Sequence, residues 1–72
     1  MPQYAKWFKK MRKTKGYTQN DVAKHVGVTR ETVSRWETAT ARPSNEIMIK
    51  LFKIYDCTNE EMLAYINPEK SQ

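Results

Sequence analysis

The tightest constraint on this chain is a pair of helix-start signals separated by one glycine. The first reads Tyr17-Thr18-Gln19-Asn20-Asp21-Val22. A threonine three residues before an aspartate has the form of a capping box: the hydroxyl accepts a backbone N–H of the first turn, and the carboxylate reaches back to the cap. Tyr17 and Val22 flank that cap with the spacing of a hydrophobic staple. Val28, Thr29 and Val33 repeat the cap and staple at once. Gly27 lies between, and glycine takes the left-handed conformation that ends a helix without a steric cost. The spacing predicts one helix from about Gln19 to Val26 and another over about residues 29–37. Two short helices joined by a glycine turn make a helix-turn-helix.

The flanking sequence supplies helices to hold this pair. Tyr4, Trp7, Phe8 and Met11 recur at i, i+3, i+4 and i+7, one stripe of a first helix, with Lys6, Lys9, Lys10 and Lys13 on its wet side and Gly16 at its end. Val22, Ala23 and Val26 face inward on the second helix, as do Val33 and Trp36 on the third. At about 100° per residue, Glu31, Ser34 and Arg35 then point away from the inward stripe, and Arg30 and Thr32 lie on its flanks. Residues 38–43 lack apolar periodicity and end in a proline, which predicts a loop. Ser44 caps a fourth helix carrying Ile47, Met48, Leu51, Ile54 and Tyr55. Thr58 with Glu61 is another capping box, opening a fifth helix with Met62, Leu63 and Ile66 that stops at Asn67-Pro68. No run alternates apolar and polar residues as a half-buried strand would. The fold class expected is all-α, five helices, with residues 1–68 forming one domain and residues 69–72 a short tail.

Composition narrows the function. Hydrophobic residues at 39% are too many for a disordered chain, and at 72 residues a single domain without a separate effector domain is expected. Residues 1–42 hold ten Lys/Arg against three acids, a net of +7, whereas residues 43–72 hold three against five, a net of −2. An uneven solvated surface would account for this. So would a footprint for a polyanion, since Lys and Arg that displace counterions from phosphates gain the entropy of ion release. No basic segment also carries a broad apolar face free of core duties, which argues against a membrane surface. No apolar stretch resembles a signal peptide or a membrane span, and the lone Cys57 has no disulfide partner, so a cytoplasmic protein is expected. Nothing suggests an enzyme, a metal, a cofactor or a small-molecule ligand. His25 stands alone on the outer side of the second helix, Glu60 and Glu61 diverge as neighbours on a helix, Trp7 and Trp36 read as core, and Cys57 reads as a staple residue against Met62.

The run Lys10-Met11-Arg12-Lys13-Thr14-Lys15-Gly16-Tyr17-Thr18-Gln19 is followed by Val22-Ala23-Lys24-His25-Val26-Gly27-Val28-Thr29, then Thr32-Val33-Ser34-Arg35-Trp36-Glu37, then Arg42-Pro43-Ser44. In that order and spacing the chain resembles the Cro/cI-type (lambda-repressor-like) helix-turn-helix regulators over roughly residues 7–66. The resemblance implies a sequence-specific duplex DNA-binding regulator, similar to a phage Cro-like repressor, acting as a homodimer on two half-sites. It implies that Arg30, Glu31 and Arg35 read bases, and that Gln19 contacts a phosphate and braces the first reading residue. Arginine can donate twice to guanine O6 and N7, and glutamate can accept from cytosine N4. The alternative for Glu31 and Arg35 is an i,i+4 salt bridge on a solvated face, and the two roles are compatible.

Thr32, Ser34, Thr40 and Arg42 are candidates for phosphate contacts, Arg42 because the loop before the fourth helix faces the backbone in the family, although exposed polar residues need no such role. Arg12 and Glu37 match a pair that in the family bridges the first and third helices. Family members often dimerise through the C-terminal helix, which makes Met62, Tyr65 and Ile66 candidates for that face. One departure stands out: the family usually has Asn-Gly after this glutamate, and this chain has Thr38-Ala39. A left-handed turn without glycine costs roughly 1 kcal/mol or more, so the third helix is expected to run on or to end differently. A second functional class remains open: an antirepressor or antitoxin-like module that uses the same fold to bind another regulator.

Overall fold

Hydroxyl caps set where four of the five helices begin. The computed structural model describes residues 3–67, so Pro68 and the tail of residues 69–72 lie outside the described residues. Within them the order is α1 (Gln3–Thr14), α2 (Gln19–Val26), α3 (Arg30–Glu37), α4 (Asn45–Ile54) and α5 (Asn59–Ile66), with no strand among the described residues. Thr18 Oγ1 accepts from the Asp21 N–H at 3.0 Å while the Thr18 N–H donates to Asp21 Oδ2 at 2.9 Å, closing the box on α2. Thr58 and Glu61 do the same on α5, at 3.1 and 2.8 Å. Thr29 and Ser44 cap α3 and α4 through the N–H groups of Thr32 and Ile47.

The four inter-helix turns share one device, a left-handed residue just past the helix end. Gly16 (φ 81°) and Gly27 (φ 77°) serve α1 and α2. Ala39 (φ 64°) and Asp56 (φ 48°) serve α3 and α4. Each lets the next N–H reach back and satisfy a last-turn carbonyl: Tyr17 to Arg12, Val28 to Ala23, Thr40 to Arg35 and Cys57 to Phe52, all at 2.9–3.1 Å. The expectation that α3 would run on or end differently for want of glycine is thereby corrected. Ala39 takes the left-handed position itself, and the chain on either side holds it there. The Thr38 hydroxyl donates to the Ser34 carbonyl at 3.1 Å, and the Ala41 N–H also returns to the Arg35 carbonyl.

The core is built from Trp7, Phe8 and Met11 of α1, Val22, Ala23 and Val26 of α2, Val33 and Trp36 of α3, Met48 and Leu51 of α4, Tyr55, and Tyr65 of α5. An aromatic cluster closes one end: Trp7 meets Phe8, Phe52, Tyr55 and Tyr65 with ring centroids 5.1–6.3 Å apart, mostly edge-to-face. Trp7 Nε1 donates to the Glu61 carbonyl at 2.9 Å, which ties α1 to the first turn of α5. This cluster decides which way α5 faces. Tyr65 turns inward, while Leu63 (57% exposed) and Ile66 (66% exposed) remain at the surface. The apolar spacing of Met62, Leu63 and Ile66 is real, but only Met62 is even half-buried.

Candidate nucleic-acid interface

The helix-turn-helix presents one continuous surface made of the start of α2, the outward side of α3 and the loop behind it. Val33, Trp36 and Glu37 are buried and fasten α3 to the body of the protein. On the opposite side Arg30, Glu31 and Arg35 are exposed, with Thr32 and Ser34 half-buried at the margins. Arg35 Nη2 donates to Glu31 Oε1 at 2.9 Å, and both side chains stay more than half exposed. Such a pair is worth only a few tenths of a kcal/mol (about 0.2–0.5), so a better acceptor displaces it readily. The contact pre-sets the direction of Arg35 without committing it.

Beneath that surface lies a connected set of polar side chains. Arg12 grips Glu37 with both ends of its fork, Nε to Oε2 at 2.7 Å and Nη2 to Oε1 at 3.0 Å, while Nη1 donates to the Tyr17 carbonyl at 3.0 Å. The side chains are 12% and 5% exposed, so this pair is screened far less than Glu31–Arg35. Hydrogen bonding to Glu37 raises the Arg12 pKa above its ordinary value. Glu37 Oε1 also accepts from Gln19 Nε2 at 3.3 Å, and Gln19 Oε1 accepts from Arg30 Nη1 at 3.4 Å. A line of contacts thus runs from α1 through the end of α3 and the start of α2 to an arginine on the exposed face. The geometry joins Arg12 to Glu37 and Gln19 to Arg30. The middle contact, Gln19 to Glu37, has no sequence signal, because the partners are 18 residues apart and neither belongs to a local capping pattern.

Gln19 begins α2, where first-turn N–H groups without intrahelical partners and the positive end of the helix dipole favour an anion. Thr40 is exposed in the loop after α3, its hydroxyl 3.0 Å from that of Thr38. Arg42 is exposed but engaged. Its guanidinium lies over the Tyr4 ring at 4.5 Å and the Tyr65 ring at 5.3 Å, and Nη2 donates to Tyr65 Oη at 3.1 Å. Cation–π contacts of this kind hold a charge in place without neutralising it. Of the residues considered for a dimer face, Tyr65 is thus spent in the core and on Arg42, whereas Ile66 is exposed and Met62 half-buried.

Elsewhere the titratable groups have structural tasks. Asp21 and Glu61 lie below the ordinary carboxylate range, in each case first because the carboxylate accepts the cap residue's backbone N–H. Burial pushes the Cys57 thiol up to about 11, away from the thiolate form that a nucleophile needs. Among the described residues no three of His, Cys, Asp and Glu gather closely enough to hold a metal ion, and no helix is long and apolar enough to cross a membrane.

Comparison with known proteins matches the chain to a family model described as helix-turn-helix, over residues 8–61, from Phe8 in α1 to Glu61 in α5. No curated protein and no solved structure matches the chain.

Proposed function

The chain belongs to the Cro/cI-type helix-turn-helix family of DNA-binding transcription regulators, and from that premise we propose that it is a phage-type, Cro-like repressor reading an operator with the exposed face of α3. The observation that carries the reading is the division of that helix. One side is sunk into the core through Val33, Trp36 and the Arg12–Glu37 pair, and the other offers Arg30, Glu31 and Arg35 to solvent. A helix held rigidly from behind can enter a major groove with its donors already aimed. Arg30 and Arg35 suit guanine, and Glu31 suits cytosine, which favours half-sites containing G·C pairs. Gln19, Thr32, Ser34, Thr40 and Arg42 are the proposed phosphate contacts, setting register without reading sequence.

The proposed active form is a cytoplasmic homodimer on two half-sites centred roughly 34 Å apart. Exposed Ile66 and Leu63, with half-buried Met62, support a dimer face on α5. The same apolar residues favour a second reading, in which α5 docks another regulator and the protein acts as an antirepressor or antitoxin-like module.

The test is selection of bound duplexes from a random pool at near-physiological salt, with the wild-type protein beside Arg35→Ala. The proposal expects a motif with two-fold symmetry that loses stringency at matching positions in the variant. Weak, salt-erased binding with no enrichment would remove it and favour the protein-docking reading.

A further inference from the structure

The operator-reading face leaves one strongly charged surface unused. Lys6, Lys9, Lys10 and Lys13 recur at i, i+3, i+4 and i+7, so they form a single stripe along α1, and all four are exposed. The stripe spans about 10 Å at 1.5 Å per residue. α1 contains no acidic residue, and among the described residues none of the four ammonium groups lies within 4.0 Å of a carboxylate. The nearby Glu61 is occupied with the Thr58 N–H at 2.8 Å and with Lys15 at 4.0 Å. Like charges at these spacings disfavour the helix that carries them; only Lys10, through its field on the Glu61 carboxylate, and Lys13, in the last turn, gain from the fold.

Helix geometry places this stripe away from α3. Phe8 reaches the Trp36 ring of α3 at 5.7 Å, Arg12 reaches Glu37, and Trp7 bonds to α5, all from the buried side of α1. At about 100° per residue the lysines centre on the reverse of that side. The stripe therefore projects away from the side of α1 that packs on α3.

We propose that the lysine stripe of α1 is a second, sequence-independent contact surface for duplex DNA, engaging a segment other than the one read by α3. Among the described residues the stripe carries ammonium groups and no exposed apolar or aromatic side chain. A protein interface needs a desolvated anchor at its centre, and a membrane-binding helix needs apolar residues to insert; neither is present on this face. Lysines are flexible point charges suited to backbone phosphates, whose binding is driven by counterion release. One molecule can then hold its operator on one side and a second stretch of DNA on the other.

The proposal rests on α3 being the reading element, and the experiment separates the two. Immobilised full-length protein is saturated with a short selected duplex, and a labelled duplex of unrelated sequence is then titrated at low salt. Wild type should bind the second duplex, and Lys6→Gln/Lys9→Gln/Lys10→Gln/Lys13→Gln should lose at least tenfold of that affinity while binding the selected duplex within about twofold of wild type. The corresponding four Lys→Arg changes should retain second-duplex binding, which shows that charge at folded positions is what is measured. Failure of wild type to bind the second duplex would overturn the proposal. So would equal loss on both duplexes in the Lys→Gln protein, which would place the stripe on the read DNA, or binding to phosphatidylserine vesicles in place of the second duplex. If no selected duplex exists, the reading by α3 has failed separately. The stripe is then tested on generic duplex alone, where the Lys→Gln protein must lose binding that Arg30→Ala/Arg35→Ala keeps.

Discussion

Ala39 bears a φ of 64° at the position where α3 must stop and the chain must turn toward Ser44. An alanine there suffers a Cβ clash that glycine avoids, and the neighbouring hydrogen bonds from Thr38 and Thr40 hold it in place regardless. Ala39→Gly should therefore stabilise the protein by about 1 kcal/mol, less the extra freedom glycine gains when unfolded. In a domain of this size 1 kcal/mol is worth roughly 4–8 °C, so the net gain raises the thermal midpoint by less than that, which a melting curve followed by circular dichroism resolves. A lowered midpoint would mean that the strain relieved is smaller than the freedom glycine gains when unfolded. The same scale shows why the sequence misled about the end of α3. Residue types report what a turn prefers, and here the closing of carbonyls by Thr40 and Ala41 outweighs the preference. Glu37 makes a related point: its residue type alone gives no sign of burial, and only the resemblance paired it with Arg12, 25 residues away, whose guanidinium grips it.

At the scale of elements, helix starts were readable because each is a local event. Thr18 with Asp21 and Thr58 with Glu61 lie three residues apart, so the sequence contains the whole interaction. The inward side of α5 was not readable in this way. Tyr65 is drawn in by Trp7, Phe8 and Phe52 from other helices, leaving Leu63 outside although its residue type suits a core. The two capping boxes also carry a pH dependence. Asp21 and Glu61 have folded-state pKa values below their ordinary ones, so the unfolded chain takes up protons first as pH falls. The stability they add is complete above the usual carboxylate range, about 4, and is lost as pH drops through the lowered folded values. Asp21→Asn/Glu61→Gln should thus be less stable than wild type at pH 7 and lose less stability on acidification. Urea midpoints measured from pH 7 to pH 2 should converge at the acid end; parallel curves would assign the acid sensitivity to other groups.

On the scale of the whole molecule, the helix-turn-helix was legible because cap, staple and glycine repeat within one short span, and the match over residues 8–61 places the chain in that family. The excess of positive charge in residues 1–42 pointed to a polyanion without locating it. The fold distributes that charge, with Arg30 and Arg35 on the outward side of α3 and the α1 lysines elsewhere. Arg42 went unrecognised as a structural residue because its partners, Tyr4 and Tyr65, come from opposite ends of the chain. Whether the exposed side of α3 with the start of α2 reads DNA is decided by following backbone amide resonances as a selected duplex is added. The largest shifts are expected at Gln19, Arg30, Glu31, Ser34 and Arg35 and in the loop from Thr38 to Arg42, with small changes along α5. Shifts confined to Met62, Leu63 and Ile66, with α3 unmoved, would contradict this reading.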